Sequence, residues 1–264
     1  MTTPDIASPA NERIKAVVRL RDRAERELTG LTIIDGIREI ARALDAGIEV
    51  QEAFVCETLL QTDEAQVLAE RLRSVSVTTS ESAHRRIAFG DRDEGIVAVV
   101  RQPAHTLAAL PLPTEPLVVV LEGVEKPGNL GAVLRTADAV GVNGLIAADP
   151  RTDLFNPNSI RASVGTVFSV PIAAATSQAT ITYLRSAGVR LVAARTDAAV
   201  EYTSADLTGP LAIVLGSEAG GLTDRWSGAD TTAVRLPMRG AADSLNVSIT
   251  AAVLLYEARR QRGA

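Results

Sequence analysis

The sequence predicts an α/β protein with a parallel sheet flanked by helices in its second half and a smaller α/β domain before it. Apolar segments of strand length alternate with segments whose apolar residues repeat at helical spacing, and this alternation is typical of parallel sheets covered by helices. The alternation stops at residues 103–116, which contain four prolines, and then begins again. Such a stretch is a natural linker. We therefore predict domains at 1–103 and 116–264, joined by residues 104–115.

The first half begins with residues 1–10, whose prolines and lack of periodicity predict a mobile tail. Asn11 is a candidate N-cap for a helix that reaches about Glu27, with Arg13 and Lys15 on its surface. The other predicted helices are 37–46 and 62–73, and the predicted strands are 31–34, 50–56, 75–78 and 95–101.

The second half opens with a fully apolar strand, Leu117–Leu121, and ends with an amphipathic helix at about 245–262. Helices are predicted at 130–140 and 179–187, with a helical or irregular segment around 159–163. The remaining predicted strands are 144–148, 167–170, 191–194, 211–215 and 233–235.

Composition narrows the class of protein. With 264 residues, 46% hydrophobic and 22% charged, the chain is expected to be globular and soluble with an ample core. Its apolar runs are strand-sized, far below the roughly 18 residues that span a bilayer. The N-terminus lacks a basic region followed by an apolar stretch, so no signal peptide is expected. Cys56 is the only cysteine, which excludes an intrachain disulfide and favours a reducing cytoplasm.

The net charge and the arginine content do not decide whether the protein binds nucleic acid, and the histidines give no sign of a metal site. The net charge is −5, and Lys15 and Lys126 are the only lysines, so arginine supplies nearly all the positive charge. Arginine suits bidentate phosphate contacts, although genome composition explains the bias equally well. The two histidines, His84 and His105, are expected at the surface. No ligand spacing for a metal is present, so no metal site is predicted.

Three motifs follow predicted apolar strands in the second half. The first motif is Glu125–Gly131 with Arg135, a glycine-rich turn into a helix. Glycines let the backbone approach a ligand, and a helix N-terminus attracts anions. Taken alone this is an ordinary strand–helix loop, and Arg135 alone is better explained as a surface salt bridge.

The second motif, Leu215–Leu222, places Glu218 among small residues directly after a buried strand. Ligands of open α/β sheets bind at the carboxyl ends of strands, although a tight turn with a solvated carboxylate has the same pattern. The third motif is Leu236–Met238 followed by Asp243–Ser248, which opens the last helix. Ser244 or Asn246 is a competent N-cap, and capping alone accounts for its presence.

Together and in this order, the motifs resemble those of the SPOUT-class RNA 2′-O-ribose methyltransferases, in the TrmH-like (SpoU) branch, over roughly residues 115–264. The resemblance implies a deep trefoil knot in the C-terminal domain, S-adenosylmethionine (AdoMet) as cofactor, and a homodimer. It implies catalytic roles for Asn129, Arg135, Glu218 and Asn246. By analogy the cofactor pocket consists of Thr196, Leu215, Gly216, Glu218, Gly220, Leu236, Met238, Ser244 and Leu245.

The N-terminal half resembles, more loosely, the ribosomal-protein-like RNA-binding domain fused to many of these enzymes. This similarity rests on the segment Ile33–Glu39, with its strand, Gly36 and helix, and on domain order. Many relatives have Glu where Asp35 stands. The implied RNA-binding residues are Arg13, Lys15, Arg38 and Arg161.

The resemblance implies methylation of ribosomal RNA, in particular the 23S molecule, because the fused N-terminal domain suits a folded RNA element. A tRNA 2′-O-methyltransferase and an antibiotic-resistance rRNA methyltransferase have the same chemistry and remain open. A non-catalytic RNA-binding or ribosome-assembly factor is a further alternative. The presence of all four implied catalytic residues, Asn129, Arg135, Glu218 and Asn246, argues against it. A dinucleotide enzyme would need a glycine fingerprint followed by an acidic residue, and that full pattern is missing.

Overall fold

A computed structural model describes residues 4–89, 93–217 and 220–263. Its helices are α1 (Glu12–Arg19), α2 (Arg23–Thr29), α3 (Ile37–Asp45), α4 (Asp63–Arg71), α5 (Glu81–Ile87), α6 (Pro127–Val140), α7 (Pro157–Ala162), α8 (Ser177–Ser186) and α9 (Val247–Gln261). Its strands are β1 (Leu31–Asp35), β2 (Val50–Val55), β3 (Ser76–Thr78), β4 (Ile96–Arg101), β5 (Leu117–Glu122), β6 (Gly144–Ala148), β7 (Ile172–Ala175), β8 (Arg190–Ala194), β9 (Val200–Glu201), β10 (Leu211–Leu215) and β11 (Thr231–Arg235).

The chain divides into two compact units. The N-terminal unit is Met1–Pro103 with Phe155–Ser169, and the C-terminal unit is Ala104–Leu154 with Val170–Ala264. The sequence prediction assigned residues 155–169 to the C-terminal domain. In the structure this segment bonds to the N-terminal unit, where the Thr32 hydroxyl donates to the Phe155 carbonyl at 2.7 Å. The predicted domain boundaries themselves stay a prediction.

In the N-terminal unit, β1, β4, β2 and β3 form a mixed sheet in that order. Strand β4 is antiparallel to both β1 and β2, and β3 is parallel to β2. Apolar residues of α1, the sheet and α5 form its core, including Ile14, Val17, Ile33, Phe54 and Ile87.

The predicted mobile tail is wrong for residues 4–10. Ile6 is only 2% exposed. Its N–H donates to the Thr78 carbonyl at 3.0 Å, and its own carbonyl accepts from Ser80 N–H at 2.9 Å. The segment is held because it extends the sheet beside β3 and buries an apolar side chain, a tertiary contact without a local signal.

The single helix predicted to reach Glu27 is also wrong. Asn11 caps α1 as expected, its side chain accepting from Arg13 N–H, but α1 ends at Arg19 and α2 begins at Arg23. Arg26 lies buried at the break and donates from Nη1 to the carbonyls of Leu20 and Arg21, at 2.7 Å each. The buried guanidinium satisfies carbonyls that the break leaves without helical partners.

Helix α5 was not predicted, and it overturns the expected surface position of His84. Ser80 caps α5 by accepting from Ala83 N–H, and the helix turns His84 inward, where it is 1% exposed. Burial lowers the pKa of His84, since the charged imidazolium is disfavoured away from water. His105 is half-buried, and its carbonyl accepts from Ala174 N–H at 2.8 Å.

The strand predicted at 167–170 is wrong as well. Thr166–Phe168 forms a 3₁₀ turn, and the strand β7 lies further along at Ile172–Ala175. Phe168 stacks on Phe155 with ring centroids 6.0 Å apart. The apolar residues of this segment therefore serve packing within the N-terminal unit instead of a sheet.

The C-terminal unit confirms the predicted α/β class with a parallel sheet. Among the described residues, seven strands pair in the order β7-β6-β5-β10-β8-β11-β9, and every pairing is parallel. Helix α6 packs against α9, and α9 also contacts β10. The knot implied by the resemblance stays a prediction. Within the ranges that the structure describes, no helix combines the length and the apolar character needed to cross a bilayer.

The strand order decides where a ligand is expected. The chain runs outward from β5 through β6 to β7 on one side, and later strands fill the other side, so direction reverses between β5 and β10. In parallel α/β sheets, ligands bind outside the carboxyl ends of strands at such a reversal. The first and second motifs follow these two strands.

Candidate active site

A cavity of about 510 Å³ lies at the carboxyl ends of β8, β10 and β11, closed on one side by the start of α9. Its lining includes eight of the predicted cofactor-pocket residues: Thr196, Leu215, Gly216, Gly220, Leu236, Met238, Ser244 and Leu245. The ninth, Glu218, falls outside the described residues. Arg195 and Asp243 also line the cavity. Neither was assigned to the cofactor site from the sequence: Arg195 belongs to no motif, and Asp243 begins the second segment of the third motif without a predicted role.

The second motif forms a tight loop that narrows this cavity. Ser217 N–H donates to the Gly221 carbonyl at 3.2 Å, and Gly221 N–H donates back to the Ser217 carbonyl at 3.0 Å. Gly220 N–H donates to Ser217 Oγ at 3.1 Å. A Cβ on Gly216 would lie 2.1 Å from the Gly221 carbonyl carbon, so only glycine fits there. The loop thus brings its backbone to the cavity wall.

The third motif joins the first at the entrance to α9. Asn246 is the N-cap of α9, and its Oδ1 accepts from the N–H and the hydroxyl of Ser248 at 2.9 and 2.7 Å. Its Nδ2 donates to Oδ1 of Asn129 in the first turn of α6 at 3.3 Å. Two predicted catalytic residues, 117 positions apart, are therefore in direct contact.

Arg135 stands apart from this pair. It lies on α6, is exposed, and forms no hydrogen bond or ion pair with the residues that the structure describes. Six residues of helix place it about 9 Å beyond Asn129 and about 120° around the axis. Arg135 does not line the cavity. A surface salt bridge, the ordinary explanation for this arginine, is therefore not formed among the described residues.

The predicted RNA-binding residues have different surroundings in the N-terminal unit. Arg13 forms an ion pair with Glu52, and Lys15 pairs with Glu12 at 2.8 Å. Arg161 donates to the Phe89 carbonyl. Arg38 is exposed and makes no bond to described residues; it lines a second cavity, of about 640 Å³, with the carboxylates of Asp63, Glu64, Asp93 and Glu94. Of the four, Arg38 is thus the one whose side chain forms no hydrogen bond or ion pair with a described residue.

Asp35, the last residue of β1, is an ionisable group with an altered pKa. Burial raises its pKa from 3.8 to about 6, although the Phe89 N–H and the charge of Arg161 oppose the change. The protonated form therefore contributes stability that is fully present below the unfolded pKa of about 3.9 and is lost as pH rises through about 6. At neutral pH the partly buried carboxylate destabilises the fold by about 3 kcal/mol or less.

We therefore expect Asp35→Asn to raise the free energy of unfolding at pH 7.5 by about 1–3 kcal/mol and to change it little at pH 4. The amide oxygen can still accept from Phe89 N–H. Urea unfolding at both pH values measures the difference. Asp45→Asn, at an exposed carboxylate paired with Arg71, is the control and should show no such gain. An equal effect of Asp35→Asn at both pH values would contradict this prediction.

The main cavity has the properties of a site for a mid-sized cofactor. Its volume falls within the range of about 300–1,000 Å³ typical of small-molecule sites. Leucine and methionine side chains supply apolar walls, and the glycine loop supplies backbone groups. AdoMet, with an adenine ring and a charged methionine moiety, fits this mixture. Among the described residues no three His, Cys, Asp or Glu side chains come together as a metal site.

One unit has a parallel sheet with a cavity at its strand ends, and the other has a mixed sheet. The relatives define the class of protein as an AdoMet-dependent RNA methyltransferase. Residues 116–256 match the SpoU rRNA Methylase family, and residues 11–98 match the MRM3-like substrate binding domain. The chain belongs to the SpoU rRNA methylase family.

Similar proteins extend over nearly the whole chain. The 23S rRNA (uridine(2479)-2′-O)-methyltransferase of Streptomyces viridochromogenes is 33% identical, over 92% of this chain and 87% of its own. A crystal structure of an RNA 2′-O ribose methyltransferase has a TM-score of 0.86 at 42% identity, covering 97% of this chain and 98% of that one. The AdoMet-bound rRNA methyltransferase of Sinorhizobium meliloti has a TM-score of 0.87 at 30% identity, covering 97% of each chain.

Proposed function

We propose that this protein transfers a methyl group from AdoMet to a ribose 2′-hydroxyl of 23S rRNA. The observation that carries the proposal is the convergence of the second and third motifs on one cavity at the carboxyl ends of adjacent strands. Membership of the SpoU rRNA methylase family supports the substrate class, and relatives named as 23S rRNA 2′-O-methyltransferases support the 23S molecule.

The cofactor supplies an activated methyl group when bound, so the protein has mainly to position the reactants and assist proton loss. A hydroxyl is a poor nucleophile until its deprotonation is assisted. We assign that assistance to Arg135. Because a guanidinium gives up its proton very reluctantly, stabilisation of the forming alkoxide describes the role of Arg135 as well as proton removal does.

The asparagine pair has a supporting role in this proposal. Asn129 and Asn246 hold the first and third motifs together through their amides, which keeps the ribose and the start of α9 in register. Glu218 is assigned to the same network by its place in the second motif. The N-terminal unit contributes Arg38 to RNA binding, with Arg13, Lys15 and Arg161 in supporting positions. We infer a cytoplasmic location from the proposed reaction on ribosomal RNA.

Methylation of purified RNAs tests the function. The full chain is incubated with radiolabelled AdoMet and, in separate reactions, 23S rRNA, 16S rRNA and bulk tRNA from a strain lacking the gene. We expect label in the ribose of 23S rRNA. Label in tRNA alone would establish the tRNA alternative, and no transfer despite RNA binding would favour the non-catalytic factor. Comparing the drug susceptibility of the strain lacking the gene with that of a strain carrying the gene separates a housekeeping role from a resistance role.

We also propose that the protein is a homodimer through α9. Leu245, Ile249 and Tyr256 are 39%, 52% and 57% exposed, and they lie at helical spacing along and just before α9. Large apolar side chains in such a row favour a protein partner, and a second copy is the partner that the family resemblance implies. The row begins beside the cavity, so the dimer would form next to the site.

Ile249→Asp is therefore expected to shift the protein from dimer to monomer in sedimentation velocity, because it places a charge in the apolar row. Val67→Asp, at a 62% exposed apolar residue of α4, is the control and should leave the mass unchanged. A wild-type monomer at micromolar concentration would overturn the dimer while leaving the proposed activity open.

A further inference from the structure

Glu122, the last residue of β5, is a buried carboxylate outside the three motifs. It is 6% exposed. Removing a charged group from water is costly unless hydrogen bonds compensate. The surroundings of Glu122 must therefore satisfy its oxygens, and the identity of those partners indicates what the residue holds in place.

Within the described part of the chain, Glu122 accepts hydrogen bonds from two residues, Thr223 and Ser177. Its Oε2 accepts from Thr223 N–H at 2.8 Å, and its Oε1 accepts from the Thr223 hydroxyl at 2.7 Å. The same Oε1 accepts from the Ser177 hydroxyl at 3.0 Å. Hydrogen bonds to an ionised carboxylate are roughly twice as strong as neutral ones. Glu122 is therefore joined to Thr223 by two hydrogen bonds.

Thr223 follows the loop of the second motif, which leaves β10 at Gly216. Strands β5 and β10 are neighbours in register, with Leu121 opposite Leu215. Glu122 therefore lies next to the start of the loop at Gly216. It also accepts hydrogen bonds from Thr223, which follows the end of the loop. A void of about 20 Å³ between them is lined by Glu122, Gly216, Ser217 and Asn129. The Glu122 carboxylate thus connects the end of the loop to strand β5, beside the start of the loop.

We propose that Glu122 is a positioning residue for the AdoMet-binding loop of the second motif, whose described residues are 216–217 and 220–221. It does not line the main cavity and acts through Thr223, fixing the distance between the loop and the first motif. This inference rests on the proposed function, because it takes AdoMet as the occupant of the cavity. The expected consequence is that Glu122 controls cofactor affinity more than it controls turnover at saturating cofactor.

Calorimetric titration of AdoMet into the full-length protein and its variants tests the inference. Glu122→Ala should raise the Kd for AdoMet roughly tenfold or more, since the Thr223 N–H and the hydroxyls of Thr223 and Ser177 lose their acceptor and the loop loses its attachment to β5. Glu122→Gln should stay within about threefold, because its amide oxygen accepts from Thr223 N–H while the hydroxyls rotate to accept from its NH₂ group. Thr223→Val should have an intermediate effect.

Two controls separate positioning from general loss of stability. Ser177→Ala removes a partner of Glu122 that lies outside the loop, so its Kd should match that of the wild type. Leu184→Ala, at a fully buried core residue of α8, should lower the melting temperature at least as much as Glu122→Ala while leaving the Kd unchanged. Steady-state kinetics should show a raised KM for AdoMet in Glu122→Ala with an unchanged KM for RNA.

The outcomes distinguish this inference from the proposed function. If wild-type protein binds AdoMet and Glu122→Ala binds it equally well, the positioning role is wrong and the function stands. If Leu184→Ala weakens binding as much as Glu122→Ala does, the effect is one of stability alone, and the inference fails. If the wild type releases no heat with AdoMet and transfers no methyl group, the proposed function fails first.

Discussion

Arg135→Ala is expected to reduce methyl transfer by roughly 10²–10³-fold or more, the loss typical of removing a group that stabilises developing negative charge. The Kd for AdoMet should stay within about twofold, because Arg135 does not line the cavity. The melting temperature should not change, because the side chain is exposed and bonds to no described residue. Single-turnover methylation of 23S rRNA and calorimetry measure the two effects separately.

The design of this experiment depends on matched variants on the same helix. Asp138→Ala alters an exposed charge one turn further along α6 and should retain full activity. Arg135→Lys keeps the positive charge but lacks the planar donor fork, so intermediate activity would assign part of the effect to hydrogen-bond geometry. Full turnover by Arg135→Ala would refute the assignment, whereas a large loss of AdoMet affinity would move Arg135 from catalysis to binding.

Gly216→Ala should weaken AdoMet binding by about tenfold to one-hundredfold. Its Cβ would lie 2.1 Å from the carbonyl carbon and 2.2 Å from the carbonyl oxygen of Gly221. Neither atom can move alone, since both are backbone, so the whole loop must shift. Because the loop forms part of the cavity wall, that shift changes the shape of the cofactor site. Calorimetric titration measures the affinity, and circular dichroism shows whether the variant is folded.

Other glycines of the chain provide a graded series for comparison. A Cβ on Gly240 would meet nothing within 4 Å, so Gly240→Ala should leave the affinity unchanged. Gly221 also has open space but a φ of +63°. Gly221→Ala should therefore show a smaller loss that reflects backbone strain of about 1–2 kcal/mol. An affinity of Gly216→Ala equal to that of Gly240→Ala would show that the loop tolerates rearrangement and does not shape the site.

The local signals in the sequence predicted much of what surrounds the site. Apolar runs identified β5 and β10 because a strand buried on both faces has few polar positions. Asn246 was predicted as a possible N-cap, and it caps α9 because its short side chain reaches the free N–H of Ser248. The motif residues were identified as one cofactor pocket only through their resemblance to a family. Eight of those nine residues line one cavity, and Glu218 lies outside the described range.

Long-range contacts explain what the sequence could not predict. His84 and Ile6 are buried by segments distant in the chain, and Phe155–Ser169 belongs to the N-terminal unit although it follows β6. Arg161, a predicted RNA-binding residue, donates to the Phe89 carbonyl, 72 residues away in the sequence. These placements depend on contacts between segments that are far apart in the sequence. The periodicity of a short segment carries no information about such contacts.

The sequence by itself thus determined most of the elements and their order, because helical and strand periodicity, caps and glycines act over a few residues. The residues of the cofactor site came from the resemblance of the motifs to a family. Only the tertiary structure decided that β10 inserts between β5 and β8. That insertion brings Glu122 within hydrogen-bonding distance of Thr223, 101 residues away. The physical reason is that a buried polar group must find a partner wherever the packed chain supplies one.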